Sequence, residues 1–265
     1  MKQVIKYFGS KSSMLKQINS FMPPIESYDI YVEPFGGGAS VLLSQDRPGK
    51  VEVYNDLYNN VYSLHKVMSD KELFWQFKEK CDVALYCEKL REEAKEQLKN
   101  PDLCILDRAF YYFYFNRTSH NGMGGFSTNC CIRRGMSKST SDFISVIDRL
   151  PQLHDRLSSV LILNKDAFEV MDKYNQENVF FYLDPPYSWE TRTSARYKVD
   201  FNPDQQKALV DKLLTIKSRI LLSGYINEEY KRLESVGFKR IDFEVKTITP
   251  DFKPKTKLES CWLNY

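Results

Sequence analysis

A carboxylate, two prolines and a tyrosine, Asp184-Pro185-Pro186-Tyr187, stand directly after the apolar run Val179-Phe180-Phe181-Tyr182-Leu183. The run is rich in aromatic and β-branched residues and predicts a buried strand. Proline has no N–H and a fixed φ, so the backbone beyond that strand is stiff and its carbonyls can accept hydrogen bonds from a ligand. With an aromatic ring closing the turn, these residues make a small pocket of acceptors with a stacking face. The matching chemistry is a flat ring that carries an exocyclic amine. Taken alone, the same four residues could be a polar turn with a half-buried tyrosine.

A second stretch argues for a site. Residues 29–33 predict a short strand, and Glu33-Pro34-Phe35-Gly36-Gly37-Gly38 follows it before Ala39-Ser40-Val41-Leu42-Leu43, which predicts a helix. Strand, glycines and helix in this order bring backbone close to a nucleotide-like ligand in doubly wound α/β sheets. The dinucleotide fingerprint needs a third spaced glycine where this chain has Val41, so an NAD or FAD reading is weakened. Val51-Glu52-Val53-Tyr54-Asn55-Asp56 predicts the next strand, again ending in an acid. Asp56 follows Gly36 by about the 20 residues expected of an acid that binds ribose hydroxyls. Gly9-Ser10-Lys11-Ser12 lacks the glycines of a phosphate loop, and an ATP reading fails.

These residues need a sheet to hold them. The α/β alternation breaks off near residue 60 and resumes at Val160-Leu161-Ile162-Leu163, with helices predicted over residues 64–80 and 83–99 and a third opening at Pro101. The dense run Ala109-Phe110-Tyr111-Tyr112-Phe113-Tyr114-Phe115 predicts core. Residues 116–140 read as a long polar loop rich in glycine and basic residues. Such a loop can hold phosphates and read base edges through Asn116, Arg117, His120, Asn121, Arg133, Arg134 and Lys138. A helix over 142–157 and a strand over 159–164 follow, and Asp166 is an N-cap candidate for the next helix. Residues 191–198, with Arg192 and Arg196, read as a basic lid. A helix over 203–216, a strand over 219–223 and an antiparallel pair over 239–247 and 257–265 complete the pattern.

Composition narrows the class. The 265 residues carry 42% hydrophobic and 28% charged side chains and a net charge of +3, as expected of a globular protein with one good core. No apolar run reaches the ~18 residues of a membrane span, and the first residues lack a signal peptide's apolar region. Six cysteines without Cys-x-x-Cys spacing and three histidines without ligand spacing predict reduced thiols, a cytoplasmic protein and no metal. His65 and His154 are expected on helix surfaces. No Pro-Cys dipeptide occurs, which argues against a cysteine nucleophile.

Tyr7-Phe8-Gly9-Ser10-Lys11, Glu33-Pro34-Phe35-Gly36-Gly37-Gly38, Asn55-Asp56 and Asp184-Pro185-Pro186-Tyr187 together resemble, in kind and order, the Dam-type DNA adenine-N6 methyltransferases. Asn116-Arg117, Asn121-Gly122 and Glu259-Ser260-Cys261-Trp262-Leu263-Asn264-Tyr265 extend the resemblance over nearly the whole chain. Gly124-Gly125-Phe126-Ser127-Thr128 and Arg133-Arg134-Gly135-Met136-Ser137 replace the family's usual Asn-x-Pro-Phe-Gly stretch. The chain is thereby more similar to the prophage-borne branch, and GATC recognition does not carry over.

The resemblance implies an α/β fold with a Rossmann-like class I methyltransferase sheet, antiparallel C-terminal strands and an inserted helical target-recognition subdomain. Residues 1–64 and 146–265 would form the catalytic domain, and residues 65–145 the DNA-recognition insertion. It implies S-adenosylmethionine as cofactor, held by Tyr7, Lys11, Glu33, Phe35, Gly36, Gly38, Asp56, Asp166 and Asp184. Asp184, Pro185, Pro186 and Tyr187 would act on a flipped adenine of duplex DNA, and a cognate restriction endonuclease is compatible as a partner. Cytosine N4 is the competing target, but those enzymes usually carry Ser in place of Asp184, and protein-glutamine methyltransferases usually carry Asn. A DNA-binding module with a degenerate fold is the non-enzymatic alternative.

Overall fold

The computed structural model describes residues 1–7, 9–46, 49–186, 201–248 and 254–265. In chain order the main elements are α1 (Leu15–Phe21), β1 (Ile30–Glu33), β2 (Val51–Asn55), α2 (Asn59–Ser69), α3 (Lys71–Val83), α4 (Glu88–Gln97) and α5 (Ile105–Thr118). A hairpin, β3 (Ile132–Arg133) and β4 (Met136–Ser137), leads to α6 (Lys138–Ile147), α7 (Leu150–Leu157), β5 (Val160–Leu163) and α8 (Ala167–Lys173). Then come β6 (Val179–Leu183), α9 (Pro203–Leu213), β7 (Arg219–Gly224), α10 (Glu228–Glu234), β8 (Lys239–Ile248) and β9 (Pro254–Leu263).

Seven strands form one sheet in the order β5-β2-β1-β6-β7-β9-β8. Strands β2, β1, β6 and β7 run parallel, and β9 lies antiparallel to both β7 and β8. This is the α/β sheet with antiparallel last strands that a class I methyltransferase requires. Because side chains alternate across a strand, the register sorts them into two faces. Val32 pairs with Val53 and Phe181, and Leu222 with Leu183 and Trp262. These pack with Val170 and Met171 of α8, Leu209, Val210 and Leu213 of α9, and Leu233 of α10. Burial of each such apolar side chain contributes about 2 kcal/mol. The opposite face carries Tyr31, Tyr182, Ser223 and Cys261, and turns polar toward the carboxyl ends of the parallel strands.

Chain contacts divide the protein into two units. One comprises Lys11–Gly36, Ser44–Leu57 and Leu163–Tyr265, and contains most of the sheet with α1 and α8 to α10. The other comprises Met1–Ser10, Gly37–Leu43 and Tyr58–Ile162, and is mostly helical. Its centre is α5, where Phe113 and Tyr114 are fully buried and Phe113 meets Phe77 edge-on, with ring centroids 5.6 Å apart. The aromatic run is therefore core, as its density predicts.

Several local expectations are corrected. No helix follows the glycines: Ala39 has φ +55°, which a right-handed helix cannot include, and a single 3-10 turn at Leu42–Ser44 replaces it. The first long helix is broken at Asp70, whose side chain leaves the helical path to accept from the backbone N–H groups of Glu72 and Leu73 and start α3. Residues 84–87 are extended rather than helical, so α4 begins at Glu88. The third helix begins at Ile105, four residues past Pro101, and runs on through Asn116 and Arg117. Those two residues are therefore helical and not part of a loop. Residues 148–149 separate α6 from α7.

The two histidines expected at helix surfaces are buried. His65 is fully enclosed, its Nδ1 2.9 Å from the Val61 carbonyl, and burial pushes its pKa down to about 4. His154 stacks on Phe74 at 4.2 Å and bonds the Met68 carbonyl. All six cysteines are free thiols. Among the described residues, no helix is long and apolar enough to cross a membrane, and no group of three or more His, Cys, Asp or Glu is arranged to hold a metal ion.

Candidate active site

Strand β1 has β2 on one side and β6 on the other, so the chain's connections diverge on either side of it. In open α/β sheets the crevice at the carboxyl ends of such strands is where ligands bind. Glu33 closes β1 and Asp184 follows the last residue of β6, so two acids stand at the same end of adjacent strands.

Asp184 is held from two sides. Its Oδ1 accepts from the Lys11 ammonium at 2.7 Å and from the Ser223 hydroxyl at 3.2 Å. Oδ2 accepts no hydrogen bond among the described residues, although a fifth of the side chain is exposed. Among the described residues, then, one carboxylate oxygen is pinned and the other has no donor. Ser223 lies near the end of β7 and is 3.1 Å from the Tyr182 hydroxyl, so neighbouring strands fix its position. Lys11 is 1% exposed, an unusual setting for an ammonium. Burial works against its charge, but Asp184, Tyr182 and Glu259 outweigh that and keep its pKa above the ordinary lysine value. Burial raises the Asp184 pKa, and Lys11 and Ser223 partly offset it. Pro185 is buried and Pro186 half-buried.

The glycine-rich turn is shaped by contacts a side chain would block. A Cβ at Gly36 would stand 2.1 Å from the Tyr54 ring, while its N–H donates to the Asn55 carbonyl at 2.8 Å. Asn55 binds the loops together, donating through Nδ2 to the Pro34 and Lys165 carbonyls and accepting from the Lys165 N–H, each at 2.9 Å. In the helical unit, Gly37 has φ +51° and the ring of Tyr7 covers it, and Tyr7 also lies against Gly38. Glu33 is 2% exposed and accepts from the Tyr31 hydroxyl at 2.6 Å. Asp56 is buried at the end of β2, with its carbonyl bonded to Asn164. Asp166 caps α8 through Oδ1 and the Phe168 N–H. Phe35 meets Phe201 edge-on at 5.8 Å.

Gly36, Asp56 and Asp166 therefore line the carboxyl ends of β1, β2 and β5 in one unit, and the donor set suits a nucleoside. A backbone kept bare at Gly36 admits close approach, acids can take ribose hydroxyls, and Phe35 offers an aromatic face. Two residues central to this geometry are not among the expected site residues. Ser223 shows only as a polar residue ending the run Ile220-Leu221-Leu222, and Asn55 only as a neighbour of Asp56. Tyr187, Arg192 and Arg196 lie outside the described residues, as does the lid at 191–198.

The expected DNA-contacting residues from Asn116 to Lys138 fall in the helical unit and differ in availability. The Asn116 amide is committed within the protein, its Oδ1 taking the Lys6 N–H at 2.8 Å and its Nδ2 donating to the Lys6 carbonyl at 2.9 Å. Its role in the structure is to tether the N-terminal segment to α5. The Arg117 Nε is buried without a hydrogen-bond partner among the described residues. Burial, with Arg149 adding to it, lowers the Arg117 pKa to about 10, and burial with Arg117 lowers that of Lys6 to about 8. A cluster whose cations depress one another is short of negative charge. Arg133 and Lys138 share Asp142, and Arg134 donates to Ser145, all at the surface. Exposed pairs of this kind hold weakly and can exchange for phosphate. His120 and Asn121 are exposed on a turn where Asn121 has φ +50°.

A family model described as D12 class N6 adenine-specific DNA methyltransferase matches residues 7–246. The type II methyltransferase M.MjaIII of Methanocaldococcus jannaschii is 28% identical over 272 residues, 91% of each chain. M.CviBI of Paramecium bursaria Chlorella virus NC1A, also a type II methyltransferase, is 24% identical over 88% of this chain and 90% of its own. M1.LlaDCHI of Lactococcus lactis subsp. cremoris is 26% identical over 72% of this chain and 67% of its own.

Proposed function

The chain belongs to the D12 class N6 adenine-specific DNA methyltransferase family, and from that premise we propose that Asp184 acts directly on the N6 amine of an adenine flipped out of duplex DNA. The observation that carries the reading is the half-pinned carboxylate. Lys11 and Ser223 fix Oδ1, and the open Oδ2 accepts one amino hydrogen. The Pro185 carbonyl accepts the other, and Tyr187 stacks on the ring. Adenine N6 is a poor nucleophile because its lone pair is delocalised into the ring. Two acceptors let the nitrogen pyramidalise and turn its lone pair toward the methyl donor.

S-adenosylmethionine, the donor this family implies, supplies an electrophilic methyl group on a sulfonium. Tyr7, Lys11, Glu33, Phe35, Gly36, Gly38, Asp56 and Asp166 would hold it. The residues act by positioning, and alignment of nucleophile with a bound partner can contribute on the order of 7–11 kcal/mol. Extrusion of the base costs a few kcal/mol. Phosphate contacts from Arg117, Arg133, Arg134, Lys138, Arg192 and Arg196 would offset that cost, with His120 and Asn121 near the bases. DNA recognition is assigned to residues 65–145, and Asn116 contributes there by holding the fold of that region.

The test is tritiated methyl transfer from S-adenosylmethionine to unmethylated genomic DNA, with nucleoside analysis of the product. N6-methyladenine from the wild type, lost in Asp184→Ala while cofactor binding by calorimetry stays within about threefold, is the expected result. Near-wild-type turnover in Asp184→Ala would overturn the assignment of Asp184.

A further inference from the structure

Behind Asp184 lies a second buried carboxylate that the proposed chemistry leaves unused. Glu259 is 4% exposed in β9. The β7–β9 register pairs Ser223 with Cys261 and Gly224 with Ser260, so the next position brings Glu259 opposite Tyr225. By strand alternation Glu259, Cys261, Ser223 and Tyr225 share one face, the face that carries Tyr182 and turns polar toward Asp184. The Tyr225 hydroxyl donates to Glu259. Lys11 contacts Asp184 directly, and the charge of Glu259 also works to keep the Lys11 pKa raised.

This arrangement answers a problem of charge. When Asp184 accepts a hydrogen from the target amine, its negative charge is shared with the substrate. As the new N–CH3 bond forms, the donor's S–CH3 bond would break with its electron pair left on sulfur, and the amine's N–H bond gives its electron pair to nitrogen as the departing proton goes to Oδ2. A lone Lys11–Asp184 pair would then leave a buried ammonium facing a neutral acid, an expensive state. We propose that Glu259 is a positioning residue that supplies Lys11 with a standing counter-charge, so that Asp184 can take the proton without Lys11 losing its place. The proposal rests on the reading of Asp184 given above.

The other titratable groups around the pair do not compete for this role. Burial raises Tyr182, Tyr225 and Tyr230 well above the phenol range, and raises the Cys261 thiol to about 12. Near neutral pH they are uncharged, and Ser223 does not titrate. On this proposal the charge of Glu259 offsets part of the pull of Lys11 on Asp184. Neutralising Glu259 should therefore strengthen that pull and lower the pKa of Asp184.

The experiment compares wild type, Glu259→Gln and Glu259→Asp. The Asp184 carboxyl is titrated by 13C NMR in [γ-13C]Asp-labelled protein, assigned with Asp184→Asn, and single-turnover methyl transfer is measured from pH 5 to 9. In Glu259→Gln the Asp184 midpoint should fall by at least half a pH unit. The acid limb of the rate should move with it, the plateau rate should drop at least tenfold, and cofactor affinity should stay within about threefold. Glu259→Asp should recover part of the shift. An unmoved midpoint overturns the proposal whatever the rate does, because a merely structural glutamate would lower the rate without moving the titration. The titration needs no turnover, so absence of methyladenine from the wild type would instead count against the reading of Asp184 as the catalytic acceptor.

Discussion

Replacing Lys11 with methionine removes the ammonium 2.7 Å from Asp184 while keeping most of the buried side-chain volume. Loss of one partner from a buried ion pair costs roughly 3–5 kcal/mol. Asp184 keeps some solvent contact and can escape by taking up a proton, so about 3 kcal/mol is expected at pH 8. Burial already raises the Asp184 pKa, and the variant lacks the Lys11 contributions that hold it down. A carboxyl raised in the folded state favours folding when protonated. Its contribution is therefore greatest at low pH and is lost as pH rises toward and through the folded value. The limiting slope is about 1.4 kcal/mol per pH unit for one proton. Lys11 itself has a raised pKa in the wild type and stays charged below the ordinary lysine value, so it adds no slope in this range. Urea unfolding of both proteins at pH 5, 6.5 and 8 should show the gap shrinking from about 3 to about 1 kcal/mol on acidification. Adding Asp184→Asn to the variant should recover about 2 kcal/mol at pH 8 by removing the stranded carboxylate. A gap equal at all three pH values, or below about 0.5 kcal/mol at pH 8, would refute the ion-pair argument.

Gly36→Ala drives a Cβ into the Tyr54 ring. Overpacking of this kind costs about 1–3 kcal/mol, and calorimetry with S-adenosylmethionine should show at least tenfold weaker binding; unchanged affinity would detach Gly36 from the cofactor site. His65 is depressed to about 4 against an ordinary 6.5, so the unfolded chain binds the extra proton between those values and stability falls as pH drops through that window. His65→Leu should flatten that acid slope, which is on the order of 3 kcal/mol over the window, and equal slopes in chemical denaturation would count against a neutral buried imidazole. Lys138→Ala and Arg133→Ala should each reduce the salt dependence of DNA binding by about one phosphate contact, with stability changed by less than about 0.5 kcal/mol. Filter binding across a salt series with no change in slope would remove them from the DNA interface.

The parts of this fold legible in the sequence are those fixed by short-range pattern. Val179–Leu183 reads as a buried strand because every residue in it is apolar, and β6 is buried throughout. The antiparallel ending reads from two adjacent β-rich runs and forms β8 and β9. What misled was competition between local signals and tertiary context. Residues 39–43 have helical composition, yet the glycine turn puts Ala39 in the left-handed region. Histidine looks like a surface residue until a partner appears, and the partners of His154 are Phe74 and Met68, far away in the chain. The acids and glycines of the site announce themselves by position after strands. Ser223 and Glu259 do not, because their significance lies in what the neighbouring strand presents.

The order of strands in the sheet differs from their order of synthesis. Strand β9 is made after β7 and β8 and lies between them. Until it inserts, β7 has one edge without a ladder partner and β8 has no neighbour in the sheet. An open edge of this kind invites pairing with another chain, and pairings of high sequence separation form slowly. During synthesis, Lys11 can leave the ribosome long before Asp184, and Ser223 gains its neighbour Cys261 only when β9 docks. A chain that lacks β9 would therefore leave β7 with an open edge and Ser223, the hydroxyl donor to Asp184, without its cross-strand neighbour.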